Sequence, residues 1–222
     1  MLRRIGLTVL WVGFLIYAFG FAPPDSPETW TLIQRLSTGD WEGINPLIIA
    51  LFNIMGVLPT LYLGIVLVDG RGQKIPAFPF AMASFAVGAF ALLPYLILRQ
   101  PNPDFPGEPN RLLKLLDSRG FGLFLLLVAV ILLAFGLTQG NWADFVQQWQ
   151  TSRFIHVMSL DFCLLSVLFP TLLGDDLARR GIQRGRIFWG VTLLPLLGPL
   201  LYLSVRPPLT QSSTPSPSLE VS

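Results

Sequence analysis

The sequence predicts an all-α integral membrane bundle of about six transmembrane helices, several of them kinked by proline. Two observations carry that reading. Six apolar runs, Ile5–Phe21, Leu47–Val68, Phe78–Leu98, Phe121–Thr138, Phe154–Leu173 and Ile187–Val205, reach or approach membrane-spanning length. A helix needs roughly 20 residues to cross a hydrocarbon core of about 30 Å. Only 13% of residues are charged, 52% are hydrophobic, and the mean hydropathy is +0.61. A soluble domain carries about 25% charged residues. A chain of 222 residues cannot hide so much apolar surface in one water-bounded core. In lipid, helices satisfy their own backbone groups.

The first run follows Arg3 and Arg4 and ends on Ala18-Phe19-Gly20. That pattern fits a cleavable leader or a retained helix. The length of the run and its bulky Trp11 and Tyr17 favour retention. Pro23, Pro24 and Pro27 end this helix, and residues 25–46 connect it to the next, with Trp30 and Trp41 placed as interfacial aromatics. Leu32–Leu36 reads as a short interfacial helix. Asp69-Gly70-Arg71-Gly72 reads as a tight turn. After the prolines at 101, 103, 106 and 109, residues 111–117 form an amphipathic piece that lies flat on the membrane. Trp142, Phe145 and Trp149 mark another interfacial stretch. The membrane domain spans 1–206; residues 207–222 form a Ser/Pro-rich tail with too few apolar residues to fold.

A short motif recurs. Leu58-Pro59, Leu93-Pro94 and Leu194-Pro195 each place a Leu-Pro inside a membrane run, and each proline removes a backbone hydrogen bond. Three bent helices leave room for a slot, or serve packing alone. With six crossings, the loops after the first, third and fifth hold about 9 of the 15 Lys and Arg residues. The positive-inside rule then puts the termini on the opposite side, against Arg3 and Arg4.

Polar groups inside apolar runs are the candidate site, because ionisable groups in a membrane are costly. The fifth run holds His156, the only histidine, with Ser159 and Asp161. Five residues separate His156 from Asp161, about 140° around a helix, so the pair cannot form a dyad on one face. Asp161 needs a partner from another helix, and Asn53, Tyr62 and Tyr95 are the candidates. Asp175 and Asp176 pair at i,i+4 with Arg179 and Arg180. With Arg184 and Arg186 they form a basic exit suited to a partner protein or an anionic lipid head group. A single cysteine, Cys163, excludes an internal disulfide, and no carboxylate or histidine cluster has metal-ligand spacing. The small net charge of +2, with its basic residues in loops, gives no support to nucleic-acid binding. Serine-hydrolase, Walker and zinc-protease motifs are absent.

The stretch Phe154-Ile-His156-Val-Met-Ser-Leu-Asp161-Phe, a charged exit, and a last run with Pro195-Leu-Leu-Gly-Pro199 resemble one family. These are the plant and cyanobacterial membrane proteins of the abscisic-acid-deficient type, linked to neoxanthin formation from violaxanthin. Gly56-Val-Leu-Pro59-Thr-Leu-Tyr62 is similar to that family's first membrane helix. The resemblance implies a thylakoid or bacterial inner membrane and a carotenoid as cofactor or substrate, whereas His156 as a single axial ligand would suit a chlorophyll or haem. Asp161 and His156 would then be catalytic, Asp161 polarising an epoxide oxygen and His156 handling a proton. The resemblance reaches only His156, Asp161 and Pro59; the slot expected from the Leu-Pro bends would be lined by Asn53, Pro59, Pro94, Tyr95 and Ser159. The rival expectation is a non-enzymatic assembly factor that docks subunits of a photosynthetic complex through residues 174–186 and 111–117.

Overall fold

The computed structural model describes residues 1–209, and those residues form helices and connections with no strand. The elements are α1 (Leu2–Gly20), α2 (Thr29–Thr38), α3 (Pro46–Asp69), α4 (Ala77–Val87), α5 (Ala89–Leu98) and α6 (Arg111–Leu116). They continue as α7 (Arg119–Gln139), α8 (Trp142–Thr151), α9 (Arg153–Leu168), α10 (Pro170–Arg179), α11 (Gly185–Leu193) and α12 (Leu197–Val205). Among the described residues, four stretches are long and apolar enough to cross a membrane: α1, α3, α7, and α9 continued by α10 over 27 residues.

The expectation of six crossings counted 78–98 and 187–205 as single helices. Each is instead a pair of short helices folded back on itself. The first pair breaks at Gly88, whose φ of +51° is open to glycine and costly for other residues. Both ends of this hairpin lie at one end of the bundle. Gln73 before α4 and Gln100 after α5 exchange two hydrogen bonds of 2.7 and 2.9 Å, and Arg99 reaches back to Asp69 at the end of α3. The second pair breaks at Leu194-Pro195-Leu196, where Leu196 has a φ of +66°. Its far end returns to α10, since Arg180 donates to the Pro207 carbonyl and Arg206 to Asp176.

Pro59 lies inside the continuous 24-residue α3, and Pro94 inside α5. Pro94 has no N–H to give the Phe90 carbonyl, and the Trp11 indole donates to that oxygen instead at 3.0 Å. Of the three Leu-Pro sites only Pro195 coincides with a break, and a fourth proline, Pro170, stands where α9 gives way to α10.

The second half repeats the first. A long apolar helix, a short amphipathic helix, a second long apolar stretch and a helical hairpin occur as α1 to α5 and again as α7 to α12. From 46–99 to 153–206 the offset is constant at 107 positions. Only nine of those 54 positions are identical, among them Asp69 and Asp176, Tyr95 and Tyr202, and Arg99 and Arg206. All but the Ile75–Ile182 pair are buried in both copies. Tyr62 meets its own counterpart, Phe169, edge-on at 6.2 Å, so the relation between the halves is a pseudo-two-fold passing between them. The hairpins pack alike, α5 on α1 and α12 on α7. Gly122 lets α7 approach α12 closely, since a methyl there would lie 2.5 Å from the Leu203 backbone.

Because the repeats run in the same direction, both hairpins enter from the same end. That end carries the charge. Of the 15 Lys and Arg residues, all but Arg35 and Arg153 lie there. The start of the expected disordered tail is pinned there too, with Leu209 packed beside Val68, Phe105 and Leu113. The rest of that tail, 210–222, lies outside the described residues.

Candidate functional site

The α4–α5 hairpin ends in the middle of the bundle, and there it meets Asp161. Ala89 opens α5, and its amide, which no helical carbonyl can satisfy, donates to Asp161 Oδ1 at 2.7 Å. The positive end of the short helix favours a carboxylate at this spot. A methyl added to Gly88 would lie 1.6 Å from Asp161 Oδ2, so the backbone of the tip sits against the carboxylate. Oδ2 makes no hydrogen bond among the described residues. Asp161 itself is 5% exposed and points into the bundle.

Above this floor opens a cavity of about 620 Å³ between α1, α3, the hairpin tip and α9. Its walls are apolar, with Phe19, Phe52, Phe85, Phe90, Phe154 and Met158 among them. The polar groups sit at two levels. Asp161 and Ser84 lie at the tip, while Asp25, Thr29 and Arg153 lie at the end opposite the charged one. Arg153 is held by the Pro23 carbonyl at 3.0 Å.

The other expected site residues do not join Asp161. The His156 ring bonds through Nε2 to the Tyr17 hydroxyl and through Nδ1 to the Trp149 carbonyl, both at 2.9 Å, and stacks on Trp149. Both ring nitrogens are spent, and the ring does not line the cavity. Asn53 donates to Ile49 O within its own helix, and Ser159 to Ile155 O. Pro59 and Pro94 are helix-internal. Tyr62 donates to Leu165 O at 2.6 Å, and Tyr95 lies at the charged end, bonded to Asp69. The single residue shared by the expected set and the cavity is Asp161. What sequence reading missed is its partner, a backbone amide, which leaves no mark in side-chain identity.

The charged end holds two like clusters. Asp69 accepts from Tyr95 at 2.6 Å and from Arg99 at 2.6 and 2.5 Å, and pairs with Arg179 at 2.5 Å. Asp176 accepts from Tyr202 at 2.7 Å, from Arg180 at 3.0 Å and from Arg206 at 3.2 Å. In each half the tyrosine follows its aspartate by 26 residues and the arginine by 30. That doubled spacing is the sequence signal that could have revealed both clusters. Asp175, expected to pair with Arg179, is instead bonded to Arg99. The expected Asp176–Arg180 pair forms, and Arg180 also holds Asp117 at 2.5 Å. Burial by itself disfavours the charged guanidinium of Arg99, but hydrogen bonds to Asp69 and Asp175 overcome that and raise its pKa. Arg180 is raised in the same way, against burial, by Asp176 and Asp117. These arginines tie hairpins to crossing helices. Arg179 and Arg180 are buried, whereas Arg184 and Arg186 are exposed.

Fold and site thus define a helical membrane protein of two tandem hairpin-bearing halves, with an apolar cavity floored by one carboxylate. No protein-family model, curated protein or solved structure matches this chain.

Proposed function

We propose that this protein binds an isoprenoid pigment, a carotenoid in the first instance, in the cavity above Asp161, with a hydroxyl of the ligand donating to Asp161 Oδ2. The single observation that carries the reading is the free carboxylate oxygen at the bottom of an aromatic-walled cavity. An unpaired acceptor inside a membrane is expensive, and a hydroxylated hydrocarbon both fills such walls and relieves that acceptor. A chlorophyll is the second candidate of the same kind. Isomerisation would run through Asp161 polarising a ligand oxygen, without His156, whose nitrogens are engaged elsewhere. Binding is therefore the stronger part of the reading. A thylakoid or bacterial inner membrane is the proposed location, and the thylakoid rests on the family resemblance.

We further propose four crossings rather than six. The α4–α5 and α11–α12 hairpins then dip in from one face, and 13 of the 15 basic residues share that face. This is a far steeper bias than six crossings gave, and the positive-inside rule makes the charged face cytoplasmic or stromal. Both Met1 and Leu209 then lie on that face.

The second reading, an assembly factor for a photosynthetic complex, is favoured by the exposed Arg184 and Arg186 and the exposed Leu112 and Leu115 of α6, all at the same end of the bundle. Arg179 and Arg180 are spent on internal ion pairs, so only Arg184 and Arg186 serve as docking probes. Purification from a pigmented membrane and an absorption spectrum of the preparation test the first reading. Asp161→Asn should accumulate normally and lose hydroxylated pigment at least fivefold. Unchanged pigment in that variant rejects the pocket. Loss of a co-purifying complex on Arg184→Ala/Arg186→Ala, with pigment absent from the native protein, supports the second reading.

A further inference from the structure

The two-fold relation between the halves carries the helix walls of the cavity with it, but not the hairpin tip, which has no counterpart in the second lining. A second cavity of about 220 Å³ opens between α3, α7 and α9. Its α3 wall is Leu47, Ala50, Leu51 and Ile54. Adding 107 to each number gives Phe154, Val157, Met158 and Asp161, the α9 wall of the first cavity. The α9 wall of the second cavity is Ser159, Phe162 and Cys163, and these match Phe52, Met55 and Gly56 of the first. On the remaining side Leu133, Gly136 and Leu137 of α7 stand where Leu15, Ala18 and Phe19 of α1 stand, at a constant offset of 118.

The copies differ where chemistry is concerned. Ile54 replaces Asp161, and no charged side chain lines the second cavity. Its hydroxyl, on Ser159, is spent on the Ile155 carbonyl at 2.7 Å. A ligand with a polar head would find nothing there to replace its water. Leu137 of α7, Trp142 of α8 and Cys163 of α9 line the cavity and are exposed, and with α7 and α9 crossing the membrane that opening faces lipid.

We propose that the second cavity is a binding site for the acyl chain of a bilayer phospholipid, the hydrocarbon-only counterpart of the Asp161 cavity. Residue 54 against residue 161 is then the selectivity switch between paired sites of common ancestry. The site is independent of what fills the first cavity.

The test uses the full-length protein in phosphatidylcholine vesicles whose acyl chains carry a mid-chain diazirine. After irradiation, adducts are mapped by mass spectrometry. Residues 133–137 and 159–163 should carry at least fivefold more label than residues 123–131, the lipid-facing part of the same helix α7. Cys163→Phe, which fills the mouth without touching the buried core, should bring both stretches down to the level of 123–131. Leu137→Trp, from the opposite wall, should do the same. Label spread evenly along α7, or excess label that survives both substitutions in folded protein, overturns the proposal.

Discussion

Replacing Gly88 by alanine tests the hairpin tip and its carboxylate together. The backbone there has φ +51° and ψ −128°, a conformation that costs a residue with a side chain about 1–3 kcal/mol. The new methyl would also lie 1.6 Å from Asp161 Oδ2, well inside any non-bonded contact. Asp161 must swing away, and its bond to the Ala89 amide at 2.7 Å goes with it. A hydrogen bond to a charged group contributes about 1.5–3 kcal/mol. The expected loss is therefore about 2.5–6 kcal/mol. Gly6→Ala is the reference, because nothing lies within 4 Å of a methyl at that position in α1. There alanine should be neutral or stabilising by up to about 1 kcal/mol. Thermal unfolding of the purified protein in one detergent, followed by circular dichroism, ranks the two. The double variant Gly88→Ala/Asp161→Ala should be less damaged than the sum of its parts, because the collision is gone. Equal midpoints for Gly88→Ala and Gly6→Ala would refute the whole chain of reasoning, tip geometry included.

Arg99→Ala should cost about 3–5 kcal/mol, since it leaves the buried Asp69 and the half-buried Asp175 beside too little positive charge; Arg206→Ala should cost a similar amount through Asp176, and denaturation midpoints of the two variants compare the copies directly. Trp11→Phe removes the donor to the Phe90 carbonyl and should lower stability by about 1–3 kcal/mol, readable in the same melt. Single cysteines at Lys74, Gln100 and Gln183, each in a Cys163→Ser background, should all react with a membrane-impermeant maleimide from one face, and cysteines at Ser37 and Gln150 from the other. A chain with six crossings would put Lys74 and Gln100 on opposite faces.

Much of the architecture was legible in the residues. The apolar runs, the amphipathic segments near 32–36, 111–117 and 142–149, and the cost of Asp161 all follow from composition and spacing. The hairpins were not, for a physical reason. A run of 20 apolar residues has the same hydropathy whether it crosses once or turns back at its middle. What decides is one residue, and Gly88 is an ordinary glycine until its φ is known. The repeat was equally hidden. Its identical positions are few because most apolar residues exchange freely inside lipid-facing helices, whereas the Asp, Tyr and Arg of each cluster have no substitutes. Asp69 read as a turn residue because its partners, Tyr95 and Arg99, lie beyond the whole hairpin.

The direction of the repeats bears on how the chain is made. With the four crossings proposed above, only the stretches around α2 and α8 have to pass through the membrane as polar backbone, and each belongs to a loop between two crossings. Every other charged group except Asp161 would then stay on the side where it was synthesised. Each hairpin is locked by an arginine that leaves the ribosome 30 residues after the aspartate it binds. Asp176 is thus already in place with Arg180, four residues on, when Arg206 arrives. A nascent chain cut short before that point would expose an unlatched second hairpin, and the cell's membrane proteases would meet it as an unfinished protein.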